Sequence, residues 1–96
     1  MTKAEIVSNV SQKMGIEKAD VQATVESFMK EVISSLENGE NVYLRGFGSF
    51  IVKTRAEKTG RNISKNVAVK IPAHNIPAFK PAKVFVNGVK TKVKVA

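Results

Sequence analysis

The 96-residue chain has no cysteine, no tryptophan and a single histidine. Without cysteine it can form no disulfide and offers no thiol nucleophile, and one histidine excludes the His/Cys clusters that hold zinc. No stretch approaches membrane-spanning length, and Glu5 stands where a signal peptide would begin its apolar run. A cytoplasmic protein with no membrane partner is therefore expected. Catalysis lacks a constellation too: no paired acids stand near the histidine, no nucleophile has a base, and no phosphate loop is present. The reading is of a non-enzyme with no cofactor, no metal and no small-molecule substrate.

Acidic residues are scarce in one half only. Residues 1–48 hold five Lys or Arg against seven Asp or Glu, and residues 49–96 hold eleven against one, giving −2 and +10 within the net +8. A near-neutral half joined to a strongly basic half is the pattern of a scaffold carrying a polyanion-binding surface.

Thr2-Lys3-Ala4-Glu5 has the spacing of a capping box, so a helix is expected to start there. Ile6, Val7, Val10 and Met14 put one apolar stripe on it before Gly15. Val21, Val25, Phe28, Met29, Val32, Ile33 and Leu36 repeat the period until Asn38-Gly39, which completes a helical hairpin. The period then changes to two on either side of Arg45-Gly46-Phe47-Gly48, which reads as a β-hairpin with Val42, Leu44, Phe50 and Val52 on one face. Residues 55–66 contain no apolar stripe, and alternation resumes at Val67, Val69 and Ile71. Pro81 suits the first position of a short helix stopped by Gly88, yet Asn87-Gly88 is also a hairpin signal. With the polar excursion exposed, the rest is at the lower limit for folding alone, and the apolar stripe on the second helix is wider than one small sheet covers. A two-fold dimer would cover it.

The candidate binding residues follow from this layout. Gly46 and Gly48 bring bare backbone amides close enough for a phosphate. Lys53, Arg55, Lys58, Arg61, Lys65 and Lys70 line the excursion and its return strand. Extended, the path from Arg55 to Ile63 covers about 25 Å, which takes its tip past the phosphate rails and into a groove. At that tip Ile63 is one large apolar residue in polar company, suited to wedging between base steps in the minor groove. Unstacking costs a few kcal/mol per step. Burying an isoleucine returns roughly 1.5–3 kcal/mol, so phosphate contacts must hold the bend. His74, with no acid nearby in sequence, is assigned no catalytic or metal role.

Phe47-Gly48-Ser49-Phe50, Arg55-Ala56-Glu57-Lys58-Thr59-Gly60-Arg61-Asn62 and Asn75-Ile76-Pro77-Ala78-Phe79-Lys80-Pro81 occur in this order, and the set closely resembles the HU/IHF family of bacterial nucleoid proteins. The resemblance implies an α+β fold built as an intertwined homodimer, with pairing to a paralogue as an alternative. It implies a helical hairpin (1–38), a three-stranded antiparallel saddle (41–54 and 71–80), a β-ribbon arm (55–70), and a short C-terminal helix with a basic tail (81–96), all in one DNA-binding domain. The partner implied is double-stranded DNA in the bacterial nucleoid, bound without sequence specificity and bent. A sequence-specific IHF-like subunit is the nearest alternative, and an RNA-binding module a more distant one. Arg55, Lys58, Arg61, Asn62, Lys70 and Asn75 would contact DNA or support the ribbon, while Lys3, the Gly46 and Gly48 amides, Lys80 and Lys83 would hold phosphates on the saddle.

The chain departs from the family at the arm tip, where Ile63 occupies the place of the usual proline wedge and Lys65-Asn66 replaces a Thr-Gly turn. Isoleucine keeps the bulk but lacks the fixed φ of proline, so a softer kink is expected. Residues 89–96 run beyond the usual family end, and their role is left open.

Overall fold

A computed structural model describes residues 1–62 and 67–95. Chain order is α1 (Lys3–Met14), α2 (Lys18–Glu37), β1 (Val42–Leu44), β2 (Gly48–Arg55), β3 (Lys58–Asn62), β4 (Val67–Ile71), β5 (His74–Pro81) and α3 (Lys83–Lys92). Thr2 caps α1 by accepting from the Glu5 amide at 3.2 Å. The capping box closes differently from the expected form, because the Glu5 carboxylate takes the Thr2 hydroxyl (3.4 Å) instead of reaching back to the Thr2 amide. Gly15 ends α1 with φ +66°, a left-handed conformation in which its amide bonds the Ser11 carbonyl at 3.0 Å.

The strands form two antiparallel sheets: β1-β2-β5 and the two-stranded ribbon β3-β4. In the first, Phe50 sits opposite both Val42 and Phe79, and Arg55 opposite His74. Ala56-Glu57 and Pro72-Ala73 interrupt the ladder between the two sheets. Pro72 has no amide hydrogen to continue it.

Two expectations at the C-terminal end are corrected. Pro81 is the last residue of β5, paired with Gly48, and not the first of a helix. The final strand position tolerates a residue without an amide hydrogen. Gly88 does not stop α3, which runs on to Lys92, so the Asn87-Gly88 hairpin is ruled out. Phe85, stacked on Phe47 with ring centroids 5.6 Å apart, ties this helix to the aromatic cluster and offsets the roughly 1 kcal/mol cost of a helical glycine.

The core of one chain is thin. Val7, Val21 and Val32 are the buried hydrophobic residues among those described. Phe47, Phe50, Phe79 and Phe85 cluster with centroids 4.9–6.5 Å apart. Even so, Phe47 is 46% exposed and Phe79 39%. Ile33 on α2 is 56% exposed, and a groove of ≈ 500 Å³ lies open between Ile33 and Leu36 on one side and Val52 and Pro77 on the other. The radius of gyration is 18.9 Å, whereas a compact chain of this length has about 12–13 Å. Part of that excess is the extended β3-β4 ribbon, and the rest is an open apolar surface of the size a second copy would cover.

Candidate nucleic-acid interface

Residues directly opposite in an antiparallel ladder share a face, so the register sorts the saddle into two surfaces. One carries Leu44, Phe50, Val52, Pro77 and Phe79, the apolar side that meets α2 and, through Phe79 and Phe85, α3. The other carries Tyr43, Ser49, Ile51, Lys53, Arg55, His74, Ile76, Ala78 and Lys80. Three permanent cations stand on this second face, and none of its residues is acidic. A potential of one sign over a continuous sheet surface is what a phosphate backbone requires.

At the edge of this face Tyr43, Arg45, Gly46, Ser49 and Lys80 line an open depression of ≈ 570 Å³. Gly46 has φ +81°, which glycine adopts without strain. Its amide makes no backbone hydrogen bond among the described residues, so it is free to donate to a ligand. Gly48 is required for another reason. A Cβ there would lie 2.6 Å from both the Lys80 carbonyl oxygen and Phe79 Cζ, so its bareness serves the packing of β5. The Phe47 carbonyl accepts from the Ala82 amide at 2.9 Å, and Lys83 begins the helix that follows.

Other candidates are placed less simply. Lys3 Nζ lies 3.0 Å from Glu26 Oε1, and Lys70 Nζ lies 2.9 Å from Glu57 Oε1, so both cations already have acidic partners. Asn75 shares the face of Thr54, whose hydroxyl donates to Asn75 Oδ1 at 2.7 Å. That is the face opposite Lys53, Arg55 and Lys80, where Asn75 fastens β2 to β5. On the ribbon, Lys58 pairs with Ile71 and Lys70 with Thr59, so the two lysines stand on opposite faces. The backbones of Arg61 and Asn62 pair with Ala68 and Val67. Ile63 and Lys65 lie outside the described residues.

A sequence model of the family described as "Bacterial DNA-binding protein" matches residues 1–90. The chain belongs to the HU/IHF family of bacterial DNA-binding proteins. It is 42% identical to the DNA-binding protein HU of Thermus thermophilus over 90 residues, covering 94% of this chain and 93% of that protein. It is 40% identical to the integration host factor subunit alpha of Proteus mirabilis over 83 residues, covering 86% and 85%. Among solved structures, an Anabaena HU–DNA cocrystal superposes with a TM-score of 0.90 at 34% identity, covering 94% of this chain and 98% of that one.

Four residues outside the sequence candidates stand beside them in this HU/IHF protein: Arg45, Glu26, Glu57 and His74. Arg45 lines the depression beside Gly46, and a cation next to a glycine turn is the signal that points to it. Glu26 and Glu57 could be found only through the lysines they hold. His74 stands opposite Arg55 across the ladder, 19 positions away in sequence, where no local spacing shows it. Among the described residues no helix is long and apolar enough to cross a membrane.

Proposed function

We propose that this HU/IHF-family protein binds double-stranded DNA mainly through the phosphate backbone, without reading sequence, and bends it to organise the bacterial nucleoid in the cytoplasm. The observation that carries the reading is the division of the saddle into an apolar face for dimer assembly and an acid-free cationic face, continued outward by a two-stranded ribbon. In the dimer two such ribbons reach out and follow the minor groove. Lys53, Arg55, Lys80, Lys83 and the Gly46 amide hold phosphates on the saddle, with Lys3 joining them once released from Glu26. Lys58, Arg61, Asn62, Lys65 and Lys70 line the arm, Ile63 supplies the wedge at its tip, and Asn75 acts by keeping β2 and β5 in register. Gly48 contributes by letting Phe79 pack. The whole chain, 1–96, acts as one unit.

The test is a bend angle measured by energy transfer across an end-labelled duplex, alongside competition between random-sequence and chosen DNA. Bending with a specificity ratio near one supports the reading. A large ratio favours a sequence-specific subunit such as integration host factor. Tighter binding to structured RNA than to nicked duplex overturns it.

A further inference from the structure

Arg55 and His74 are the last pair of the β2-β5 ladder, at the point where the saddle gives way to the arm. Both side chains are exposed and stand on the cationic face, with Lys53 two residues along the same face. His74 Nδ1 lies 3.0 Å from the Pro72 carbonyl oxygen. A carbonyl only accepts, so Nδ1 carries the hydrogen and the neutral ring presents Nε2 as a lone pair. In that state the open edge of the ring is an acceptor and repels phosphate oxygens. Protonation adds a positive charge and turns Nε2 into a donor, so a single proton converts an unfavourable neighbour of phosphate into a favourable one.

We propose that His74, opposite Arg55 at the root of the arm, is a proton-gated phosphate contact added to the permanent cations of that face, its imidazole disengaged from DNA when neutral and engaged when charged. The proposal rests on the DNA-binding reading above. The charged groups around it are consistent with this gating. On β2, Arg55 stands opposite and Lys53 on the same face; on β5 that face continues with Ile76, Ala78 and Lys80. At the junction, Glu57 is the only acid in the basic half of the chain and is held by Lys70 of β4 at 2.9 Å. With no carboxylate on this face to take the imidazolium, a DNA phosphate is the anion left to meet it. A DNA phosphate beside Nε2 favours the charged ring, and the charged ring favours the phosphate. Binding and protonation therefore reinforce each other.

The chain has one histidine, which makes the test clean. Affinity for a random duplex is measured against salt at about pH 5.5 and about pH 7.5, on either side of the ordinary imidazole range, for the full-length wild type, His74→Gln and His74→Lys. The wild type is expected to bind several-fold more tightly at the lower pH, with a salt slope steeper by about 0.9 for one more phosphate. His74→Gln should lose that difference, and His74→Lys should hold the steeper slope at both pH values. By nuclear magnetic resonance, the His74 titration should move to higher pH when DNA is added. If His74→Gln keeps the wild-type pH dependence, or the His74 titration is unmoved by DNA, the site is overturned while the DNA-binding reading stands. If no form binds duplex with a salt dependence at either pH, both fail.

Discussion

The Lys3 ammonium sits 3.0 Å from Glu26 Oε1, joining the first residue of α1 to the middle of α2 across 23 positions of sequence. The same carboxylate oxygen accepts from Gln22 Nε2 at 3.2 Å. The Lys3 hydrogen bond first, then that of Gln22, then the Lys3 charge hold the Glu26 carboxyl below its ordinary value of 4.5. The pair is exposed, so it competes with water and with any phosphate that approaches Lys3.

Glu26→Gln is therefore expected to strengthen DNA binding a few-fold, since Lys3 no longer has to leave an acid to reach phosphate. Titration of a fluorescent duplex checks it, and unchanged or weaker binding would show that Lys3 does not take part. The stability effect has the opposite sign. A carboxyl whose folded pKa is depressed contributes stability that is present above its unfolded value, about 4.5, and is lost as pH falls through the folded value. Thermal melts of wild type and Glu26→Gln should thus differ slightly at neutral pH and converge in acid.

Two alanine substitutions in one turn should fail for different reasons. Gly46→Ala meets nothing within 4 Å but must hold φ +81°, which costs about 1–2 kcal/mol. Gly48→Ala meets the Lys80 carbonyl and the Phe79 ring at 2.6 Å, an overpacking worth about 1–3 kcal/mol. Because it displaces β5, Gly48→Ala should also weaken DNA binding through Lys80. Urea unfolding paired with a binding titration separates the two, and full DNA affinity in Gly48→Ala would show that Lys80 is not positioned this way.

The surface of one chain is 8352 Å², while a compact monomer of this mass exposes roughly 5400 Å². Part of the excess is the ribbon, and the rest is the exposed aromatic cluster and the α2 face around Ile33. Hence folding and dimerisation should be one transition, with a midpoint that rises with protein concentration. Ile33→Glu, which puts a charge into the shared core, should unfold the chain at concentrations where wild type is dimeric. A concentration-independent midpoint with a monomeric mass would contradict this.

What was legible in the sequence was what depends on neighbours three or four residues away. The stripes on α1 and α2 and the Thr2 cap are local signals, and the helices formed where they pointed. The two-residue alternation in β1 and β2 was equally plain, and so was the excess apolar face of α2 that needs a partner. What local signals leave out depends on contacts distant in sequence. Gly48 is bare because of Phe79, 31 residues on. Asn75 stands with Thr54, on the face away from Arg55, which follows from the β2-β5 register and from no local periodicity. The turn signals at Pro81 and Gly88 were overridden by pairing with Gly48 and by the packing of Phe85 on Phe47. His74 meets Arg55 only through the ladder, a neighbour that no local spacing shows.

The final prediction separates the two ways in which the arm acts on DNA. Phosphate neutralisation is sequence-independent and salt-sensitive, whereas a wedge exchanges unstacking energy for burial of an apolar side chain and is nearly indifferent to salt. Arg61→Ala should therefore weaken binding to all duplexes alike and flatten the salt slope by about one unit. Ile63→Ala should leave that slope in place and reduce the bend angle seen by energy transfer. Ile63→Pro, restoring a fixed φ at the tip, should sharpen the bend at an unchanged slope. If Ile63→Ala bends DNA as wild type does, the bend is held by phosphate contacts alone. If Arg61→Ala weakens only certain sequences, that side chain is reading bases or groove width.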